Sequence, residues 1–124
     1  MNKNAKSIYS DVRKMTKSYE LITSSTDSLL LCLLSENPMY GYQIIKELKD
    51  RSQGYFNFKE GTLYPALHRL ENAGLIEGKW EMLSGGQQRK YYHITDKGLL
   101  SLVEKRDEWL GFLTAMNLII QQSP

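Results

Sequence analysis

The chain has very little cysteine, proline or histidine: one, three and two of these respectively among 124 residues. A single thiol excludes an intrachain disulfide, and Cys32, inside the apolar run LLLCLL, is expected to be a small buried core residue. No apolar run approaches the ~20 residues that cross a bilayer, and the N-terminal residues lack the apolar segment of a signal peptide. We therefore expect one cytoplasmic domain with no membrane partner.

The usual patterns of enzymes are also missing from the sequence. His68 and His93 are accompanied by one remote cysteine, so neither a zinc site nor a nucleophile–base pair is indicated. The pair Gly85-Gly86 lacks the strand–loop–helix context of a phosphate-binding loop. The sequence predicts a protein that is not an enzyme and needs no metal or cofactor.

The net charge of the chain does not indicate whether it binds nucleic acid. The formal net charge is +2, with 41% hydrophobic and 24% charged residues, which is ordinary for a globular protein. The local distribution of charge has to carry any argument for nucleic-acid binding.

Hydrophobic periodicity predicts a mostly α-helical chain with one small β-hairpin. The predicted elements are an N-terminal amphipathic helix, a buried helix over roughly 25–36, a second helix over about 41–51, a third starting at 60–62, two strands joined by a turn at 84–87, and a last helix of about 25 residues capped by Thr95. The N-terminal helix has an apolar seam and a basic face, which is either solvated or in contact with phosphates.

The stretch EGTLYPALHRLENAGLI predicts a helix with two unlike faces. Leu63, Leu67 and Leu70 point inward. Pro65 is expected in the first turn, where backbone N–H groups have no partner, and Gly74 supplies a left-handed stop. The outer face is small, polar and lightly basic and consists of Thr62, Tyr64, Pro65, His68 and Arg69.

The strands that follow show period-two alternation. Ile76, Trp80 and Met82 alternate with charged residues, which predicts a half-buried strand. In the return strand, Tyr92 and Ile94 share one face.

Three short helices followed by a hairpin describe a winged helix-turn-helix, with the third helix in the major groove of DNA. The hairpin tip, 85–90, is the wing, whose glycines keep it slim and whose Gln, Arg and Lys approach phosphates or the minor groove. Arg69 either pairs with guanine or binds a phosphate; His68 and Tyr64 have packing roles as alternatives. A winged helix used for protein contacts, without DNA, is the competing function.

Several of these motifs resemble the PadR family of transcriptional regulators. EGTLYPALHRLENAGLI, a Trp on the next strand, RKYYHIT with a following glycine, and PMYGYQIIKEL are similar to that family over about 27–98. The resemblance implies a winged-helix homodimer that represses a promoter and is released by a small molecule. By this resemblance, the expected DNA-binding residues are Tyr42, Lys59, Thr62, Tyr64, His68, Arg69, Arg89 and Lys90. Gln88 is also expected to bind DNA, because it is one of the polar residues of the wing.

The terminal segments predict a dimer. From Trp109 onward the last helix is apolar nearly all round, so it needs cover on several sides, which a second copy and the N-terminal helix can provide. We divide the chain into an N-terminal helix (1–23), a winged helix-turn-helix (24–96) and a C-terminal dimerisation helix (97–124). The expected interface residues are Ile8, Val12, Met15, Tyr19, Leu99, Leu102, Trp109, Leu113, Met116 and Ile120. Two-fold symmetry predicts a pseudo-palindromic operator.

Trp109 also raises the possibility of a ligand. It stands eleven residues after Gly98, as in the multidrug-binding members that the sequence resembles, where a tryptophan stacks on flat aromatic compounds. Phe112 and Met116 would complete an adaptable apolar pocket for an aromatic or hydrophobic effector. The alternative is that Trp109 is simply part of the core of the interface.

Overall fold

The computed structural model describes residues 25–123. The elements are α1 (described over 25–36), α2 (Gly41–Arg51), α3 (Glu60–Asn72), β1 (Ile76–Met82), β2 (Gln88–Ile94) and α4 (Asp96–Gln122). This order confirms a mostly helical fold with one antiparallel hairpin. The predicted N-terminal helix, with Ile8, Val12, Met15 and Tyr19, lies outside the described residues.

The core is built from one face of each of the first three helices and the base of the hairpin. Buried apolar residues recur at the spacing of a helix in α1, α2 and α3, as the periodicity predicted. In these helices they are Leu30, Leu31, Leu33, Leu34, Ile44, Leu48, Leu63, Ala66, Leu67 and Leu70. The core is completed by Met39 from the loop before α2, Ile76 and Tyr92 from the hairpin and Leu102 from α4.

Cys32 is not part of this core. It is exposed, on the side of α1 that looks toward α4, because its neighbours on the helix occupy the buried positions. Its sulfur borders an apolar cavity, and the loss of hydration there raises the pKa of the thiol above its usual value. The thiol is therefore kept in its unreactive protonated form near neutral pH.

Both helices of the helix-turn-helix end in a left-handed residue. Gln53 takes this position after α2, with φ of 53°, and Gly74 takes it after α3, with φ of 74°. The Leu75 N–H then donates to the Leu70 carbonyl at 2.9 Å, which closes α3 as predicted.

Pro65 lies inside α3 and not in its first turn, contrary to our expectation. The helix begins at Glu60 after the N-cap Lys59, so Pro65 is in the second turn. Having no N–H, it leaves the Gly61 carbonyl without its helical partner. Residues 61 and 65 are both exposed, so water can hydrate that carbonyl.

The base of the hairpin belongs to the core and its outer part does not. Ile76 pairs with Ile94, and Met39 forms an isolated antiparallel bridge with Tyr92 through two backbone hydrogen bonds, of 2.9 and 3.3 Å. Further out, Trp80 is 65% exposed, so the prediction of a half-buried strand is wrong beyond the first residues of β1. The alternation correctly placed Ile76 and Trp80 on the same side of the strand. Only Ile76 is covered by the rest of the domain, and Trp80 is not.

One ion-pair cluster ties α1 to α2. The Arg51 guanidinium donates to both carboxylate oxygens of Glu36, at 3.0 and 2.6 Å, and to Glu47 at 2.8 Å. The hydrogen bonds from Arg51 hold the pKa of the Glu36 carboxyl below its usual range. This cluster is at the surface, so it fixes the angle between the two helices more than it stabilises the fold.

Helix α4 starts on the domain and then leaves it. The Thr95 side chain accepts a hydrogen bond from the Gly98 N–H at 3.1 Å, which confirms the predicted cap. Leu102 is buried, but the apolar side chains that follow are exposed in the single chain: Val103, Leu110, Phe112, Leu113, Met116, Leu118, Ile119 and Ile120. None of the helices in the described part is long and apolar enough to cross a membrane.

Candidate DNA-binding surface

The outer face of α3 is open to solvent. Thr62, Pro65 and His68 are exposed, as is Lys59 at the N-cap, while the opposite face of the helix is buried in the core. The division into an inner and an outer face is the one that the leucine spacing predicted. It presents a small, polar surface of the shape that a DNA groove admits.

Arg69, on the same face, already has a partner. Its Nη2 donates to Asp27 Oδ1 of α1 at 2.9 Å. The guanidinium stays partly exposed, so it can still reach an anion in front of α3 if the contact with Asp27 is exchanged. Asp27 was not identified from the sequence, because a carboxylate 42 positions away gives no local signal.

Tyr64 is fixed against the start of α2. Its ring lies over Gly41, where any side chain would meet the tyrosine hydroxyl. The α2 helix therefore braces α3 through a glycine. Tyr42, one residue on, is 66% exposed on the far side of this contact.

Arg89 extends from the wing over the loop before α2. Its guanidinium carbon lies 4.2 Å from the centre of the Tyr40 ring, and Tyr40 in turn meets Tyr91 edge-on at 5.5 Å. Arg89 is exposed despite this cation–π contact.

Lys90 points toward α3 and not toward the tip of the wing. Its Nζ donates to Glu71 Oε1 at 3.1 Å, and its stem passes across Gly78, which has no side chain to block it. Both partners are half-buried. Lys90 therefore connects the wing to α3, whereas the sequence placed it among the free cations of the wing.

The wing and the helices enclose a cleft of about 270 Å³. Four of the predicted DNA-binding residues meet there, namely Tyr64, Gln88, Arg89 and Lys90. The sequence did not identify the other wall residues, which are Tyr40, Gly41, Trp80 and Tyr92. Lys59, Thr62, His68 and Arg69 are exposed along α3, and Tyr42 borders a separate polar hollow beside α2.

A second cavity, of about 400 Å³, lies between α1 and α4 and is almost entirely apolar. Trp109 forms one wall, and its Nε1 donates to Ser28 Oγ at 3.1 Å. Phe112 packs edge-on against the Trp109 ring at 5.8 Å, but neither Phe112 nor Met116 lines the cavity, contrary to the prediction. Arg106 lines it as well and contributes its positive charge.

Neither surface is suited to metal chemistry. Within residues 25–123, no group of three His, Cys, Asp or Glu side chains is placed to hold a metal ion.

Comparison with known proteins identifies the type of regulator. A profile of the Transcriptional regulator PadR-like family matches residues 30–104. A PadR-like transcriptional regulator from Bacillus cereus has a crystal structure that is 36% identical, with a TM-score of 0.69, covering 78% of this chain and 92% of that one. A transcriptional regulator from Clostridium thermocellum is 33% identical with a TM-score of 0.71, covering 79% of this chain and 92% of that one.

A relative from Mycobacterium tuberculosis matches over a shorter part of the chain. Transcriptional regulator Rv3488 of Mycobacterium tuberculosis is 35% identical over 72 residues, which span 58% of this chain and 64% of that protein. These relatives are named transcriptional regulators, which agrees with the prediction that the protein is not an enzyme.

Proposed function

Because the chain belongs to the PadR-like family of transcriptional regulators, we propose that α3 and the wing bind duplex DNA and that the protein acts in the cytoplasm as a sequence-specific repressor. The observation that supports this most directly is the continuity of the surface. The exposed face of α3 includes Tyr64, and Tyr64 lines the cleft together with Arg89 of the wing.

In this arrangement α3 contacts the bases, and residues at the start of α3 and on the wing contact the phosphates. The outer face of α3, with Thr62 and His68, faces base edges in the major groove, where sequence is read. Lys59 at the start of α3 and Arg89 on the wing contact the phosphates on either side, which fixes the register of the protein on the duplex. Arg69 joins these contacts only when it exchanges Asp27 for DNA.

The test is a titration of fluorescently labelled duplex DNA, taken from the promoter of its own gene, with the protein at several salt concentrations. Lys59→Ala and Arg89→Ala should each weaken binding about tenfold and reduce the salt slope by about one. Lys49→Ala is the matched control, because it also removes one positive charge. Lys49 is in the last turn of α2, at the opposite end of that helix from the predicted contact Tyr42, so its loss should change affinity less than about twofold.

Equal effects of all three substitutions would show that the protein binds DNA through its overall charge and not through this surface. No binding even at low salt would favour the competing function, a winged helix that contacts proteins.

We also propose a homodimer formed through α4 and the N-terminal helix. The exposed apolar side chains of α4 need a cover, and a second copy offers a self-complementary one. Two α3 helices related by a two-fold axis would then enter successive major grooves about 34 Å apart on a pseudo-palindromic operator.

The cavity beside Trp109 supports a proposal of a small aromatic or hydrophobic effector that relieves repression. Its apolar lining suits a flat ring, and Arg106 favours a neutral or anionic compound over a cation. Relief requires that the effector bind the form of the dimer that does not bind DNA more tightly than the form that does.

A planar aromatic sulfonate is a suitable probe of this cavity. In Trp80→Phe, where Trp109 alone emits, the probe should quench tryptophan fluorescence and lower the affinity for DNA. In Trp109→Phe, where Trp80 alone emits, quenching should be weak. Equal quenching in the two variants would place the probe elsewhere, and Trp109 would then be a packing residue.

A further inference from the structure

Trp80 is a large apolar side chain that the fold leaves uncovered. It is 65% exposed, although it lies on the side of the hairpin that faces the helices, the same side as Ile76 and Tyr92. Its cross-strand partner is Lys90. Removing an exposed indole from water is favourable. A partner that covers Trp80 would therefore bind more tightly by the free energy of that burial.

The position of Trp80 indicates which partner. It lines the cleft between α3 and the wing, as Tyr64 does. The lining also includes Gln88, Arg89 and Tyr64, whose side chains carry hydrogen-bond donors. The cleft thus combines one broad apolar wall with several groups that donate hydrogen bonds.

The local charge also suits an anion. Arg89 contributes an exposed positive charge, and the negative charge of Glu71 is neutralised by Lys90 at 3.1 Å. Glu81 is the cross-strand partner of Arg89 and shares its side of the hairpin, which is opposite to that of Trp80. Arg89 lines the cleft, whereas Glu81 does not.

We propose that this cleft receives one sugar–phosphate unit of the DNA backbone, with the Trp80 ring against the deoxyribose and the donors directed at the adjacent phosphate. The proposal rests on the proposed function and adds a specific contact to it. A deoxyribose offers an apolar face and a phosphate offers acceptor oxygens, which match the two kinds of wall. The contact is independent of base sequence, so it positions α3 in the groove and does not select the operator.

The experiment uses Trp80 as its own reporter. The chain has two tryptophans, so in full-length Trp109→Phe only Trp80 emits. A mixed-sequence duplex of about three helical turns, ~30 base pairs, is suitable because the contact ignores sequence. Accessibility to acrylamide is measured with and without saturating duplex at low salt, and binding by the same variant is followed separately by anisotropy of labelled DNA.

We expect acrylamide quenching of Trp80 to be strong in the free protein and to fall several-fold on the duplex. We also expect Trp80→Ala to weaken duplex binding about tenfold, and Trp80→Phe less, since it keeps an apolar ring. Met82→Ala is the matched control: Met82 is exposed on the same side of the hairpin but outside the cleft, and its loss should change affinity less than about twofold.

The outcomes separate this proposal from the wider one. If anisotropy shows saturation while Trp80 remains fully quenchable, the cleft contact is wrong and DNA binding stands. The cleft contact is also wrong if Trp80 is already shielded from acrylamide in the free protein. It is equally wrong if Trp80→Ala keeps its melting temperature and binds duplex DNA as tightly as Met82→Ala does. If no duplex binds at low salt, both proposals fail.

Discussion

Gly98 determines how closely α4 approaches the end of α3. Its backbone lies against the Leu75 carbonyl and the Ile94 side chain, and a methyl group would overlap both. The carbonyl is held in place because it accepts the Thr95 N–H at 3.0 Å, so it cannot move aside.

Gly98→Ala should therefore destabilise the protein by about 2–3 kcal/mol, the cost of overpacking a fixed site. Gly61→Ala is the comparison, since nothing lies within 4 Å of that position in α3, and it should be neutral or stabilising by about 0.5–1 kcal/mol. Urea unfolding of the two variants measures the difference. Similar stabilities would mean that α4 can shift to accept the methyl group.

A polar contact connects α3 to the wing. Lys90 reaches from β2 to Glu71 of α3 and passes over Gly78 of β1. The side chains of both partners are mostly shielded, 29% and 25% exposed, so the ion pair is less screened than one on the open surface. Lys90 also lines the cleft, together with Trp80 and Tyr64.

Lys90→Met keeps the apolar stem and removes the charge, which leaves Glu71 without its partner. We expect faster hydrogen exchange at the amides of β1 and β2 and a loss of about 1 kcal/mol in the free energy of unfolding. Lys79→Met is the control, because Lys79 is exposed and points to the other side of the hairpin. Equal exchange in the two variants would show that the contact does not hold the wing.

At the scale of the molecule, the feature that stands out is the uncovered second half of α4. Over Leu110 to Ile120 its large apolar side chains are about half exposed, more than a monomer usually leaves in one place. The dimer proposed above would cover them.

Leu113→Lys places a charge among these side chains and should convert the dimer to a monomer at micromolar concentration, because a buried unpaired charge is costly. Glu104→Lys makes a similar change at an exposed position nearer the domain and should leave the association unchanged. Sedimentation velocity distinguishes the two. A monomeric parent protein would contradict the dimer, and so would a Leu113→Lys variant that associates like the parent.

The sequence by itself determined the local structure. The spacing of Leu63, Leu67 and Leu70 identified the buried face of α3, and Gly74 identified its end, because helix periodicity and left-handed backbone geometry depend on neighbouring residues alone. The turn at 84–87 and the cap at Thr95 were predictable for the same reason.

The tertiary structure decided what each of these elements faces. It exposed Cys32 and Trp80, joined Arg69 to Asp27 and directed Lys90 toward Glu71. Each of these outcomes depends on which distant segment lies next to a residue. A side chain's own periodicity gives its direction but does not show whether a helix, a carboxylate or water occupies the space there.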